Sequence, residues 1–185
     1  MDIPSKIKLN SAFTNFSKLQ YTPESMTIKT AYCSRMFSDT QNLMKAPQLT
    51  FTEANTNASG MFDSSGISGD VQFNCYNTNG NYKRLFNSCS NLKSANFIGG
   101  DDVSANVTLE SVFQDCYNLE VVDGIGSLSN VTDAVMAFAH CENLNNVPAF
   151  EVRSDVTNCF EGCFNLVNFG GFINLGMGEE VHTEM

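Results

Sequence analysis

One motif recurs along the whole chain, and it limits the possible folds more than any other feature. Aligned on phenylalanine, the sequence reads Ala12-Phe13-Thr14-Asn15-Phe16-Ser17-Lys18-Leu19, then Met36-Phe37-Ser38-Asp39-Thr40-Gln41-Asn42-Leu43. A degenerate copy, Met61-Phe62-Asp63-Ser64-Ser65, comes next. Three sharper copies follow: Leu85-Phe86-Asn87-Ser88-Cys89-Ser90-Asn91-Leu92, Val112-Phe113-Gln114-Asp115-Cys116-Tyr117-Asn118-Leu119 and Ala137-Phe138-Ala139-His140-Cys141-Glu142-Asn143-Leu144. The last is Cys159-Phe160-Glu161-Gly162-Cys163-Phe164-Asn165-Leu166. Phe-to-Phe spacings are 24, 25, 24, 27, 25 and 22 residues. A fixed period in this range marks stacked supersecondary units, because one unit of that size cannot bury its own apolar face.

Three residues beyond each Leu a small or apolar side chain returns: Ala46, Ala95, Val122, Val147 and Phe169. A proline or turn former comes next, as at Pro47 and Pro148, followed by short alternating pieces such as Met26-Thr27-Ile28, Leu49-Thr50-Phe51 and Phe150-Glu151-Val152. Period-two alternation predicts a short strand in each unit. Before each Phe the apolar residues step at helical spacing, as at Val131, Ala134, Ala137, Phe138 and Cys141, which predicts a short helix or 3₁₀ turn. Successive strands then form a parallel sheet at about 4.8 Å per turn, with the Phe side chains as an internal ladder. The Asn before each Leu is expected to satisfy backbone groups at the bend.

The segment from Ala137 to Pro148 resembles the repeat of BspA-type leucine-rich-repeat proteins, Ala-Phe-x-x-Cys-x-x-Leu-x-x-Ile followed by Pro. Met36-Phe37 and Asn42-Leu43 are also similar to the related surface-lipoprotein repeats of mycoplasmas. The resemblance covers roughly residues 5 to 175. It implies an α/β leucine-rich-repeat solenoid of about seven units over residues 1–175, with short parallel strands on one side and short helices or 3₁₀ turns on the other. The third copy lacks the Cys and the Asn-Leu. The Asn- and Gly-rich stretch 68–82 is expected to be an irregular insertion, and 176–185 a polar acidic tail. Similar repeats occur in surface proteins of gut bacteria and in virion proteins of their phages.

Chemistry-bearing residues are few. Cys89, Cys116, Cys141 and Cys163 each sit three residues after the repeat Phe, so they are expected to be a column of buried thiols. On parallel helical turns they would stand about 8–10 Å apart, too far to be bridged. Cys159 and Cys163, four residues apart, offer a weak metal hint, but there is no Cys-x-x-Cys pair and the sequence has only 2 His. His140 beside Cys141 is not expected to form a nucleophile pair, and His182 lies in the tail. Asp101-Asp102, Asp115 and Asp123 are expected in separate loops, not as an acid and base pair. Gly124-Ile125-Gly126 lacks the third glycine of a phosphate-binding fingerprint. The sequence thus leads to the expectation of no enzyme activity, no cofactor and no metal.

The outward positions of the predicted strand row are Lys45, Ser94, Val121, Asn146 and Asn168, the candidate ligand-facing surface. They suit a protein or surface glycan. Net charge is −10 and charged residues make up only 16%, which argues against nucleic acid as the main partner. Charge is also uneven: residues 1–92 carry 8 Lys/Arg against 6 Asp/Glu, residues 93–185 carry 2 against 14. The acidic half could meet a basic partner or divalent cations. No apolar run approaches the 18 or so residues of a membrane span, and no signal-peptide core opens the sequence.

These features lead to the expectation of a non-enzymatic recognition or assembly module. A phage virion component (tail, fibre or capsid-associated) comes first. A bacterial cell-surface adhesin binding host protein or glycan is the alternative. Both solenoid ends read as uncapped, which makes self-assembly or end contacts a further expectation.

Overall fold

Seven phenylalanine rings lie in a single column through the protein, each parallel to the next. In the computed structural model, which describes residues 2–3, 7–75, 79–98, 106–128 and 130–173, Phe13, Phe37, Phe62, Phe86, Phe113, Phe138 and Phe160 stack at centroid separations of 5.2–5.7 Å. Their planes lie within 17° of parallel. The seven rings define six steps, and each step is one turn of a right-through solenoid of parallel strands.

The main sheet has eight strands, each hydrogen-bonded to the corresponding strand one turn away. They are β1 (Asp2–Ile3), β2 (Ser25–Ile28), β3 (Gln48–Phe51), β4 (Gly69–Cys75), β6 (Leu92–Ile98), β8 (Val121–Asp123), β10 (Asn146–Val147) and β12 (Asn168–Phe169). Inward residues keep register, with Met26 opposite Leu49, Leu49 opposite Phe73, and Phe73 opposite Phe97. The small residues after each Leu do the same: Ala95 pairs with Val122 and Val147 with Phe169. A smaller sheet holds β5 (Gly80–Asn81), β7 (Val107–Thr108) and β9 (Val131–Asp133), and β11 (Phe150–Glu151) pairs with β13 (Phe172–Ile173).

The stretch 68–82 is not an irregular insertion where it is described. Gly69–Cys75 is a seven-residue strand in the middle of the main sheet, with Val71 and Phe73 buried. Its inward alternation is Val71 and Phe73, and the polar residues between them face outward. An Asn-rich composition hid an ordinary half-buried strand. Tyr76 to Thr78 and the tail 176–185 lie outside the described residues.

Among the described residues the expected helices are absent, and the backbone shows why. In every unit the residues two before and two after the Phe have φ between 52° and 72°: Ser11 and Asn15, Arg35 and Asp39, Gly60 and Ser64, Arg84 and Ser88, Ser111 and Asp115, Met136 and His140, Asn158 and Gly162. Two left-handed residues within five break a right-handed helix. The segment becomes a chain of tight turns, with alternate N–H groups donating three residues back. Examples are Val112 to Leu109, Gln114 to Ser111 and Cys116 to Phe113. The intervening N–H groups donate to the next turn of the solenoid: Ser111 to Val135, Phe113 to Ala137 and Asp115 to Ala139, at 2.8–2.9 Å. From Ser111 to Cys116 every N–H thus has a partner, half within the turn and half between turns. The apolar spacing of three read as helical comes from these three-residue turns. Among the described residues the helical element is one 3₁₀ piece, Ile125–Ser127, and it lies beyond β8 rather than opposite the sheet.

Asn and Asp reinforce this geometry. Five residues before the Phe, Asn57, Asn81, Asp133 and Asp155 each accept the N–H two residues on (Ser59, Lys83, Val135, Thr157) at 2.8–3.2 Å. These side chains fix the corner into the turn segment. At the other bend, the amides of Asn42, Asn118 and Asn165 donate to the carbonyls of Ser17, Ser90 and Glu142 in the preceding turn. That is the role expected for the repeat Asn.

The ring column makes a graded prediction. Phe113 is fully buried between two stacked rings, whereas Phe13 is 36% exposed in the first turn. Phe113→Ala should lower unfolding free energy by about 3–5 kcal/mol in urea titration. Phe13→Ala should cost clearly less, roughly half that. Equal losses would mean that the column is not the common core.

Candidate functional site

The outward face of the main sheet gathers the positions singled out in the sequence. Ser94 pairs with Val121, Val121 with Asn146, and Asn146 with Asn168, giving one continuous cross-strand row. Lys45 is exposed and lies just before β3, outside the strand itself. It nonetheless lines the same open depression, of ≈ 580 Å³, as Gln48, Asp70, Gln72, Ser94 and Asn96.

Asp70 is the member of the row that sequence reasoning missed. It is paired with Ser94, whose hydroxyl donates to Asp70 Oδ1 at 2.6 Å. The signal was present: eight residues after Phe37 lies Lys45, and eight after Phe62 lies Asp70. It was passed over because the third copy lacks its Cys and Asn-Leu. A second outward row runs beside the first, Gln72 to Asn96 to Asp123. A third runs through Thr27, Thr50 and Asn74. The described face is therefore mostly amide and hydroxyl, with an exposed ion pair from Lys93 Nζ to Glu120 Oε1 at 2.8 Å.

The cysteines lie on the inside. Cys33, Cys89, Cys116, Cys141 and Cys159 are buried and Cys163 is half-buried. Each repeat thiol donates to the Phe carbonyl one turn back: Cys89 to Phe62, Cys116 to Phe86, Cys141 to Phe113 and Cys163 to Phe138, at 3.0–3.1 Å. Thr40 and Ser65 hold the same position in the earlier turns, and the Ser65 hydroxyl lies 3.6 Å from Cys89 Sγ. The expected spacing of about 8–10 Å was drawn from helix packing. Without helices the turns stack at close to the ring spacing. What occupies these thiols is the carbonyl column, and all the described cysteines are unbridged.

Burial pushes the Cys89 and Cys33 thiols up to about 12, and Cys163 up to about 11. Burial also raises Cys116 and Cys141 well above the ordinary thiol value, with the neighbouring cysteines of the column adding to the effect. Such thiols are poor nucleophiles and poor metal ligands, since both roles need the thiolate.

The remaining candidates stay apart. Cys141 points to the Phe113 carbonyl, while His140 is a half-buried left-handed residue stacked above Gly162. The reason they do not pair is this alternation of the backbone rather than a helix face. Asp115 accepts weakly from the Tyr117 hydroxyl at 3.4 Å, and its charge raises the Tyr117 pKa. Asp123 lies on the sheet face. Asp101, Asp102 and His182 lie outside the described residues. Ile125 of the Gly124-Ile125-Gly126 turn is buried, and a Cβ on Gly124 would meet the Phe97 carbonyl at 1.9 Å, so this glycine serves close packing. Among the described residues no three His, Cys, Asp or Glu come together to hold a metal, and no helix is long and apolar enough to cross a membrane. Comparison of the chain with protein-family models, curated proteins and solved structures gives no match.

The thiol column predicts a pH dependence. Folding raises these pKa values above the unfolded value of about 9, so the unfolded chain loses its thiol protons first. The stability from each thiol is complete below pH 9 and is lost as pH climbs toward about 12, by up to about 1.4 kcal/mol per pH unit. Urea midpoints should fall between pH 8 and pH 10.5, by a smaller amount in Cys89→Ser. Native Cys116 and Cys141 should resist thiol reagents until the protein is denatured, and rapid native labelling would contradict the buried column.

Proposed function

We propose that this chain is a non-enzymatic recognition or assembly module, carried by a phage virion as a tail, fibre or capsid-associated component. The observation that carries the reading is the outward sheet face. Three polar rows in register present amides, hydroxyls and few charges on a backbone locked from behind by the ring column. A polar surface held on paired strands suits a protein or glycan partner, because little conformational freedom is lost when the surface is covered. The virion setting draws on the resemblance of the repeat to phage and bacterial surface repeats.

The face is tested by substitution. Ser94→Arg and Asn146→Arg place long cations in the central row, whereas Glu142→Arg, off the sheet, is the control. With unfolding midpoints unchanged, the first two should reduce retention of the chain on its particle by about tenfold or more. The control should leave retention intact. Equal behaviour of all three would remove the sheet face as the binding surface. Recovery of the chain in the cell-envelope fraction of cultures without particles would overturn the virion setting in favour of the adhesin.

A further inference from the structure

On the turn side of the solenoid, around each repeat Phe, the between-turn hydrogen bonds run one way, whereas at the bends and strands others run back, as from Gln48 to Glu24 and Glu120 to Lys93. Leu9, Ser11, Phe13 and Asn15 of the first turn donate to the carbonyls of Tyr32, Ser34, Met36 and Ser38 in the second, at 2.7–3.1 Å. The same four positions recur up the solenoid, ending with Ala134, Met136, Phe138 and His140, which donate to Asp155, Thr157, Cys159 and Glu161. By this periodicity the last described turn offers the N–H groups of Val156, Asn158, Phe160 and Gly162. The first offers the carbonyls of Lys8, Asn10, Ala12 and Thr14. Neither set has a backbone partner among the described residues. Along the turn segments, one end is a row of donors and the other the matching row of acceptors.

The side chains match at the same positions. Counted from the Phe, Leu9 corresponds to Val156, Phe13 to Phe160, Phe16 to Cys163 and Leu19 to Leu166. In the inner turns the first two of these columns are wholly buried. At the ends Leu9, Leu19, Val156, Phe160, Cys163 and Leu166 are only partly covered, and Phe16 is 54% exposed. Charge agrees as well. Lys8 and Asp155 hold the same place, five residues before the Phe, at opposite ends of one column. Lys18 adds to the basic end and Glu161 to the acidic end.

We propose that the chain stacks head to tail on a second copy of itself, the first turn of one continuing the last turn of the next. The ring column then passes from Phe160 of one copy to Phe13 of the other, and Lys8 meets Asp155 across the junction. Such a contact is heterologous: each copy uses two different surfaces, so association continues into linear stacks rather than stopping at a two-fold dimer. The inference rests on the end turns and not on the sheet face, so Ser94→Arg should leave it intact even where particle retention is lost.

Sedimentation velocity of the full chain over about a hundredfold range of concentration tests it. Species should grow in steps of one chain, 20.3 kDa. Lys8→Glu alone and Asp155→Lys alone should each weaken association by about tenfold or more. An equimolar mixture of the two should restore it, because each head then finds a tail of opposite charge. Phe16→Asp, whose ring meets the column only edge-on at Phe13 in the end turn, should also stop growth, with an unfolding midpoint that falls by less than in Phe113→Ala. A chain that stays monomeric at every concentration overturns the proposal, as does a mixture that associates no better than its components. A dimer that stops at two copies and ignores Lys8→Glu overturns it too.

Discussion

The pairing of left-handed residues around each Phe is the constraint on which the rest of the structure depends. With two residues of positive φ in every turn segment, alternate N–H groups are turned out of the local chain and toward the next turn. This gives the turn side of the solenoid a ladder of its own, parallel to the strand ladder of the main sheet. Both sides therefore advance at the same short step, and the step suits aromatic rings. Phe side chains can stack face to face in one column only because neighbouring turns approach to little more than 5 Å. A helix on that side would have demanded about 8–10 Å and splayed the stack open.

How much of this was legible follows from the same constraint. The period, the Phe column, the inward residues after each Leu and the outward row from Ser94 to Asn168 follow from spacing alone, and the structure places them in register. The turn conformation was not legible, since a run of three-residue turns and a helix both repeat apolar residues at three and four. The discriminating signal lay two residues either side of the Phe. Asn15, Asp39, Asp115 and Asn158 accept positive φ cheaply, and Gly60 and Gly162 more so. Arg35, Arg84 and Met136 occupy the same position against their preference, held there by bonds on both sides, and they blurred the pattern. Strand Gly69–Cys75 was missed for a different reason. Its inward residues, Val71 and Phe73, are two among polar neighbours, and composition outweighed alternation.

The cysteines show a correct expectation reached by the wrong route. Their burial follows from their repetition, and it holds for Cys89, Cys116 and Cys141, while Cys163 in the last described turn is half-buried. Their separation was argued from helices that do not exist. The structure supplies another explanation: each of these thiols donates to the Phe carbonyl one turn back, and the position also takes Thr40, which donates to its own Phe37 carbonyl, and Ser65, which lies beside Cys89 Sγ. At the four cysteine turns the requirement is a small side chain that donates to the Phe carbonyl one turn back, whereas Phe16 fills the position in the first turn. That requirement, rather than redox chemistry, accounts for four of the seven cysteines. The buried thiols of the column are thereby engaged as protonated donors.

Charge in a solenoid is constrained by the same short step, because a residue repeated in one column meets its own kind about 5 Å away. The described ion pairs between turns answer this by joining different columns or opposite signs in neighbouring turns: Arg84 to Asp63, Lys83 to Glu110 and Lys93 to Glu120. Beyond Lys93 the sequence offers one further cation, Arg153, which is held by Glu151. From there on acidic residues accumulate without cations to separate them, and Asp133 and Asp155 become direct neighbours across a bridge. Each offsets part of that repulsion by accepting backbone N–H bonds. The chain therefore carries its excess of negative charge in its second half and Lys8 and Lys18 in its first turn, a polarity along its axis that runs in the same sense as the hydrogen bonds of the turn segments. Two independent features, backbone direction and charge, thus distinguish the same two ends.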